Sequence, residues 1–163
     1  MKEAKTNAMR KLEAMKIPYT PHSYGAGGGP VDGVTVARKI GRDPSEVFKT
    51  LVTRGAGGNL FVFVIPAGRE LSLKAAAQAA GEKSVAMIHV GELLPLTGYV
   101  RGGCSPIGMK KQYRTFLDSS ALEHRTILVS AGRIGAQIEI EPKDLAKAAG
   151  ASFADLSAVL QKN

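Results

Sequence analysis

A single cysteine, Cys104, is all the thiol chemistry in 163 residues, so no internal disulfide can form. Histidine is nearly as scarce. His22, His89 and His124 stand singly, at spacings that match no metal-ligand motif, and neither a structural metal nor a cofactor is expected. Tryptophan is absent, and four tyrosines with five phenylalanines are too few for the base-stacking sheet of common RNA-binding modules. No run approaches the roughly 18 apolar residues of a membrane span. The first residues, MKEAKTNAMRKL, carry an acid and lack the apolar core of a secretory signal. Together these shortages lead us to expect a soluble, cytoplasmic protein with no membrane partner. Acidic residues are the last shortage: 14 against 22 lysines and arginines leave a net charge of +8. Such a surplus favours a polyanionic partner. The cations are dispersed from Lys2 to Lys162, however, and this pattern also suits plain solvation.

What is present is concentrated in one loop, Arg101 to Lys111, with the sequence RGGCSPIGMKK. Two adjacent glycines let backbone N–H groups approach a ligand closely, Pro106 fixes a turn, and Arg101, Lys110 and Lys111 supply charge. Between Glu92 and Asp118 there are four basic residues and no acidic one. A carboxylate-free basic loop suits an anion such as phosphate, although a tight solvated turn would look similar.

Along the chain, apolar residues at helical spacing predict a helix over Lys5 to Lys16, closed by Ile17-Pro18. Tyr19 to Tyr24 reads as a short edge strand that tolerates Pro21, followed by the glycine loop 25 to 30. A short helix over Val34 to Ile40 ends at Gly41. Val47 to Thr53 and Leu60 to Ile65 are β-branched and aromatic runs around a glycine turn, which makes a hairpin. Ser72 is a suitable N-cap for a helix over Leu73 to Ala80. Val85 to Ile88 is a short strand, Glu92 to Leu94 one helical turn, and Thr115 to Leu117 a strand. Thr126 to Ser130 and Ala136 to Ile140 add two more, and Pro142 and Gly150 bracket a helix. A last helix is expected over Ala154 to Leu160. Strand and helix do not alternate regularly, so the expected class is α+β: one domain over 1–163, with a curved mixed or antiparallel sheet surrounded by helices.

Several chemistries are excluded by spacing. Gly103 and Gly108 stand as in a phosphate-binding P-loop, but Met109 displaces its lysine and no Ser or Thr follows. Gly25 to Gly29 lacks the third spaced glycine of a dinucleotide site. No Gly-x-Ser-x-Gly elbow is present. Cys104 lies among amides that could lower a thiol pKa, but no histidine is near it in sequence. Lys49 is the sharper candidate, since Val47, Phe48 and Leu51 would hold it firmly and aim its ammonium into a pocket. Strand alternation puts Thr50 on the opposite face, so the two could meet one ligand only if the strand bends or Thr50 acts through its backbone.

Phe48-Lys49-Thr50-Leu51-Val52, the run from Thr97-Gly98-Tyr99 through Gly102-Gly103-Cys104-Ser105-Pro106-Ile107-Gly108-Met109-Lys110-Lys111, and Val129-Ser130-Ala131-Gly132 resemble the YbaK family of aminoacyl-tRNA deacylases. The resemblance spans nearly the whole chain. It extends to the editing domain of bacterial prolyl-tRNA synthetases and implies the same barrel-like fold. It implies trans-editing: removal of cysteine from Cys-tRNA(Pro) by attack of the substrate's own thiol on its ester. It implies catalytic positions at Lys49, Gly102 and Gly103, and substrate-binding positions at Tyr24, Thr50, Ser105, Ser130 and Gly132. Arg101, Lys110 and Lys111 would meet the tRNA backbone, and prolyl-tRNA synthetase is the implied partner beside tRNA. Three positions depart from the family pattern. A family phenylalanine corresponds to Asp32 or Val31, a common acidic residue is Gln137, and Cys104 replaces an aliphatic residue. A catalytically weak tRNA-binding module, or a deacylase of the Ala-tRNA(Pro) type, therefore stays open as an alternative.

Overall fold

A computed structural model describes residues 4–25 and 31–158. The first helix, α1 (Asn7–Ala14), starts where the Thr6 hydroxyl accepts the Met9 N–H at 3.2 Å, and it buries Ala8, Met9 and Leu12. β1 (Thr20–Ser23) follows, and α2 (Gly33–Ile40) is capped by Asp32, whose carboxylate accepts the Thr35 N–H at 2.8 Å. β2 (Phe48–Gly55) and β3 (Leu60–Pro66) form the expected hairpin, in register from Phe48 opposite Pro66 to Arg54 opposite Leu60. β4 (Glu70–Leu71), α3 (Leu73–Ala80), β5 (Val85–Met87) and α4 (Val90–Thr97) come next. After the glycine loop come β6 (Arg114–Asp118), β7 (Ile127–Ser130), β8 (Ala136–Ile140), α5 (Pro142–Ala149), β9 (Ala151–Ala154) and β10 (Ser157–Ala158).

The class is α+β, as expected, but the strands divide among three sheets rather than one. A five-stranded sheet has the order β5-β2-β3-β6-β9, a three-stranded antiparallel sheet the order β1-β8-β7, and β4 pairs with β10. Among the described strands, β3 pairs with β6 and β6 with β9 in parallel, and the other strand pairs are antiparallel. The larger sheet is covered on both faces. Val52, Val62, Val64 and Leu117 pack toward α1, α5 and the smaller sheet. Phe61, Phe63, Ile65 and Phe116 pack toward the alanines of α3. Burial on both sides explains why β3 reads as an unbroken apolar run instead of an alternating one. Phe63 and Phe116 stack with centroids 5.3 Å apart. Among the described residues the pairings leave β5 and β9 as edges of the larger sheet, and none of them closes a barrel.

Two expectations are corrected. The single turn at Glu92 is a full helix, because Glu92 accepts the His89 N–H at 3.0 Å and pairs with Arg54 at 2.9 Å, tying α4 to β2. The helix over Ala154 to Leu160 is replaced by extended chain, with β9 ending at Ala154 and β10 at Ser157–Ala158, and residues 159 and 160 lie outside the described residues. The Asp118 carboxylate, buried at the end of β6, accepts the backbone N–H groups of Leu156 at 2.8 Å and Ser157 at 3.1 Å. Those bonds hold the segment extended along β6, so tertiary contact overrides local helix preference.

Candidate active site

Val47 and Leu128 form an isolated parallel bridge between the two main sheets. On the edge of β2 away from β3, pairing with β5 begins only at Thr53, and Ile88 N–H reaches Val52 C=O at 3.2 Å. Among the described residues, no strand pairs with that edge from Phe48 to Leu51, although β7 lies close by. The even-numbered residues of β2 direct their peptide groups to this side, so Thr50 offers its backbone as well as its side chain to the gap. A cavity of about 120 Å³ fills the gap. Because it wraps a strand edge rather than sitting on one face, both Lys49 and Thr50 line it although their side chains point to opposite faces.

Opposite them stand Ser130 and Gln137, which face each other across β7 and β8 and so project on the same side of the smaller sheet. Tyr24, Val31 and Gly102 contribute further wall. Among the described residues, two buried side-chain polar atoms have no hydrogen-bond partner, Thr50 Oγ1 and Gln137 Oε1, and both belong to residues of this cavity. Buried polar atoms are normally satisfied, and an orphan costs about 1–3 kcal/mol. Two such atoms in one hollow are available to a polar ligand.

Lys49 is half-buried, and burial lowers its pKa below the usual lysine range, while the Glu70 carboxylate partly offsets this. Its ammonium makes no hydrogen bond or ion pair with the described residues, so its donors are available to a ligand. In the glycine loop, Gly102 adopts a φ of +84°, a conformation that favours glycine, and its N–H has no acceptor among the described residues. Gly103 differs: its N–H is already donated to Val100 C=O at 2.9 Å. It is a glycine for packing, since a Cβ there would lie 2.8 Å from Ile134 N and 2.9 Å from the Arg133 backbone. Gly103 therefore seats the loop against the turn after β7.

The remaining expected site residues split by location. Ser105 is wholly buried and its hydroxyl accepts Ile107 N–H at 3.2 Å, inside the loop and outside the cavity. Gly132 donates its N–H to Ser130 Oγ at 3.2 Å, and a Cβ on it would strike the Tyr99 ring at 2.9 Å. Both shape the wall without forming it. Arg101 lines a neighbouring recess, the Lys110 stem lies over Gly98, and Lys111 borders a third hollow beside Arg114. The basic loop does not act as one patch. Of the two positions that could replace the family phenylalanine, Val31 is the one at the cavity, while Asp32 is spent on capping α2. Cys104 is buried, and burial pushes its thiol up to about 12, so at neutral pH it is neither thiolate nor ready nucleophile.

Residues 32–148 match the sequence profile of the aminoacyl-tRNA editing domain. The chain belongs to the aminoacyl-tRNA editing family. Over 155 residues it is 43% identical to EbsC of Enterococcus faecalis, a candidate Cys-tRNA(Pro)/Cys-tRNA(Cys) deacylase, with 95% of this chain and 94% of that protein covered. YwhH of Bacillus subtilis, an uncharacterised protein, is 30% identical over 111 residues, covering 68% of this chain and 70% of YwhH. The crystal structure of a candidate trans-editing enzyme for prolyl-tRNA synthetase superposes with a TM-score of 0.82 at 23% identity, over 96% of this chain and 99% of the other, which is a likeness of fold. Val31, Val36 and Ala67 also line the cavity, and no motif in the sequence marks Val36 or Ala67 for it. They are ordinary apolar residues: Val36 comes from α2, and Ala67 follows β3, with its N–H donated to Val47 C=O at 2.8 Å. Gln137 could have been assigned by pairing β8 with β7, since it falls opposite Ser130.

Proposed function

We propose that the protein is a trans-acting aminoacyl-tRNA deacylase that removes cysteine from tRNA(Pro) by substrate-assisted cleavage of its ester. The observation that carries this reading is the meeting of two orphaned polar atoms, Thr50 Oγ1 and Gln137 Oε1, with the free ammonium of Lys49 in one small cavity. A volume of 120 Å³ is worth roughly four waters, room for a small acyl group. Gln137 Oε1 accepts from the substrate's α-ammonium, Lys49 holds the ribose or terminal phosphate, and the Gly102 N–H donates to the ester carbonyl. No protein nucleophile is needed. The substrate thiolate attacks its own carbonyl carbon, the bond to the ribose oxygen breaks, and that oxygen takes up the proton the thiol lost. Water then opens the resulting cyclic thioester to free cysteine. What the protein supplies is geometry and a donor for the developing oxyanion, and one such donor is worth about 10²–10³ in rate. Selectivity for tRNA(Pro) comes from association with prolyl-tRNA synthetase, since the cavity itself meets only the acylated end.

The test is single-turnover deacylation of Cys-tRNA(Pro), Ser-tRNA(Pro) and Ala-tRNA(Pro). Cysteine is expected to be released at least about 10²-fold faster than serine, because a hydroxyl is a far poorer internal nucleophile. Lys49→Ala is expected to abolish the difference. Equal rates for cysteine and alanine would overturn self-attack, and an unchanged ester lifetime for all three would overturn the deacylase reading.

A further inference from the structure

A second recess, of about 180 Å³, lies on the far side of the wall made by Thr50, Gly102 and Cys104, which both hollows share. It is bounded by β2, β5, α4 and the glycine loop. Leu51, Val52, Ile88 and Leu93 give it an apolar lining. Met87 and Val90 stand at its rim, 46% and 62% exposed, and Arg101 is its cation. The Arg54–Glu92 ion pair at 2.9 Å ties β2 to α4 across this side of the molecule.

In an aminoacyl ester one oxygen separates the acyl carbon from the ribose. Whatever holds the acyl group must therefore have a place for a nucleoside directly beside it. An apolar slot with one guanidinium matches a nucleotide: the base faces take the apolar walls and a phosphate takes the arginine. We propose that the recess between β5 and α4 is the subsite for the terminal nucleoside of the tRNA 3′ end, with Arg101 on a phosphate. The proposal rests on the deacylase reading and adds the direction in which the tRNA leaves the aminoacyl cavity. With the nucleoside there, Lys49 is left to the ribose side of the ester. The competing direction runs over Val31 and Ala67, across α2.

Methyl NMR of the full chain, titrated with adenosine 5′-monophosphate and separately with inorganic phosphate, tests this together with kinetics on Cys-tRNA(Pro). The nucleotide is expected to shift Ile88, Val90 and Leu93 and to leave Val31 and Val36 unmoved, while phosphate alone leaves the methyls unmoved. Val90→Glu, an exposed change that does not disturb the core, is expected to raise KM roughly tenfold or more with kcat little altered. Shifts centred on Val31 and Val36, no shifts up to about 10 mM nucleotide, the same shifts with phosphate alone, or an unchanged KM in Val90→Glu would each overturn the subsite. An unmodified protein that leaves Cys-tRNA(Pro) intact but binds the nucleotide at Val90 would overturn the deacylase reading and keep the nucleotide site.

Discussion

At the scale of single residues, Lys49 and Cys104 are affected by burial in opposite ways. Burial disfavours the charged form of each, so it lowers the lysine pKa and raises that of the thiol. If the Lys49 ammonium holds the substrate, enzyme-dependent deacylation falls as pH rises through its lowered pKa, at a pH below the ordinary lysine range. Lys49→Arg, whose guanidinium stays charged, is expected to move that fall upward; a pH–rate profile corrected for uncatalysed ester loss checks it. For Cys104, a thiol pushed to about 12 is expected to react with iodoacetamide far more slowly than free cysteine at neutral pH, which mass spectrometry of the alkylated peptide would measure. Gly103→Ala places a methyl against backbone atoms of Arg133 and Ile134 that cannot swing away. It is expected to cost about 1–3 kcal/mol, read as a shift in denaturant midpoint. The same clash separates two neighbours that the sequence presents as equivalent: Gly102 has the free N–H, and Gly103 has the fit.

At the scale of elements, one carboxylate gathers several contacts between the smaller sheet and the helical side. Glu139 of β8 accepts from the Thr126 hydroxyl at 2.7 Å, meets His22 of β1 at 2.8 Å, and pairs with Arg42, just after α2, at 3.0 Å. These partners, Thr126 first, hold its pKa near 2. A carboxylate with a depressed folded pKa contributes stability above its ordinary value near 4.5 and loses it as pH falls toward 2. Glu139→Gln is expected to flatten the stability-against-pH curve across that window, as followed by thermal melts. Element by element, the hairpin, the α3 helix and the α5 helix could be read directly, because each has a local punctuation signal: a glycine turn, Ser72 as cap, Pro142 at the first helical position. The strands β4, β9 and β10 could not. They are short, and β9 and β10 are held extended by the buried Asp118 and by pairing with β6 and β4, contacts that no window of sequence contains. The site was legible in part for the same reason. Lys49, Thr50 and Ser130 sit in recognisable motifs, whereas Val31, just ahead of the Asp32 cap of α2, reaches the cavity with no motif of its own.

At the scale of the whole molecule, the positive charge expected to seek a polyanion is spread over the surface, and the loop cations point to different hollows. Affinity for tRNA is therefore expected to decline smoothly with salt. Arg101→Ala would lower the slope of log K against log salt by about one unit, measurable by filter binding. The unpaired stretch of β2 from Phe48 to Leu51 has a further consequence, for solubility rather than for catalysis. A strand edge with unpaired backbone groups and apolar neighbours is a template for pairing with another chain. Here the glycine loop stands in front of it, seated by Gly103 on the turn after β7 and by the Tyr99 hydroxyl on Ile107 C=O at 2.6 Å. If the loop shields this edge, changes that unseat it, such as Tyr99→Phe with Gly103→Ala, are expected to show themselves first as turbidity on warming.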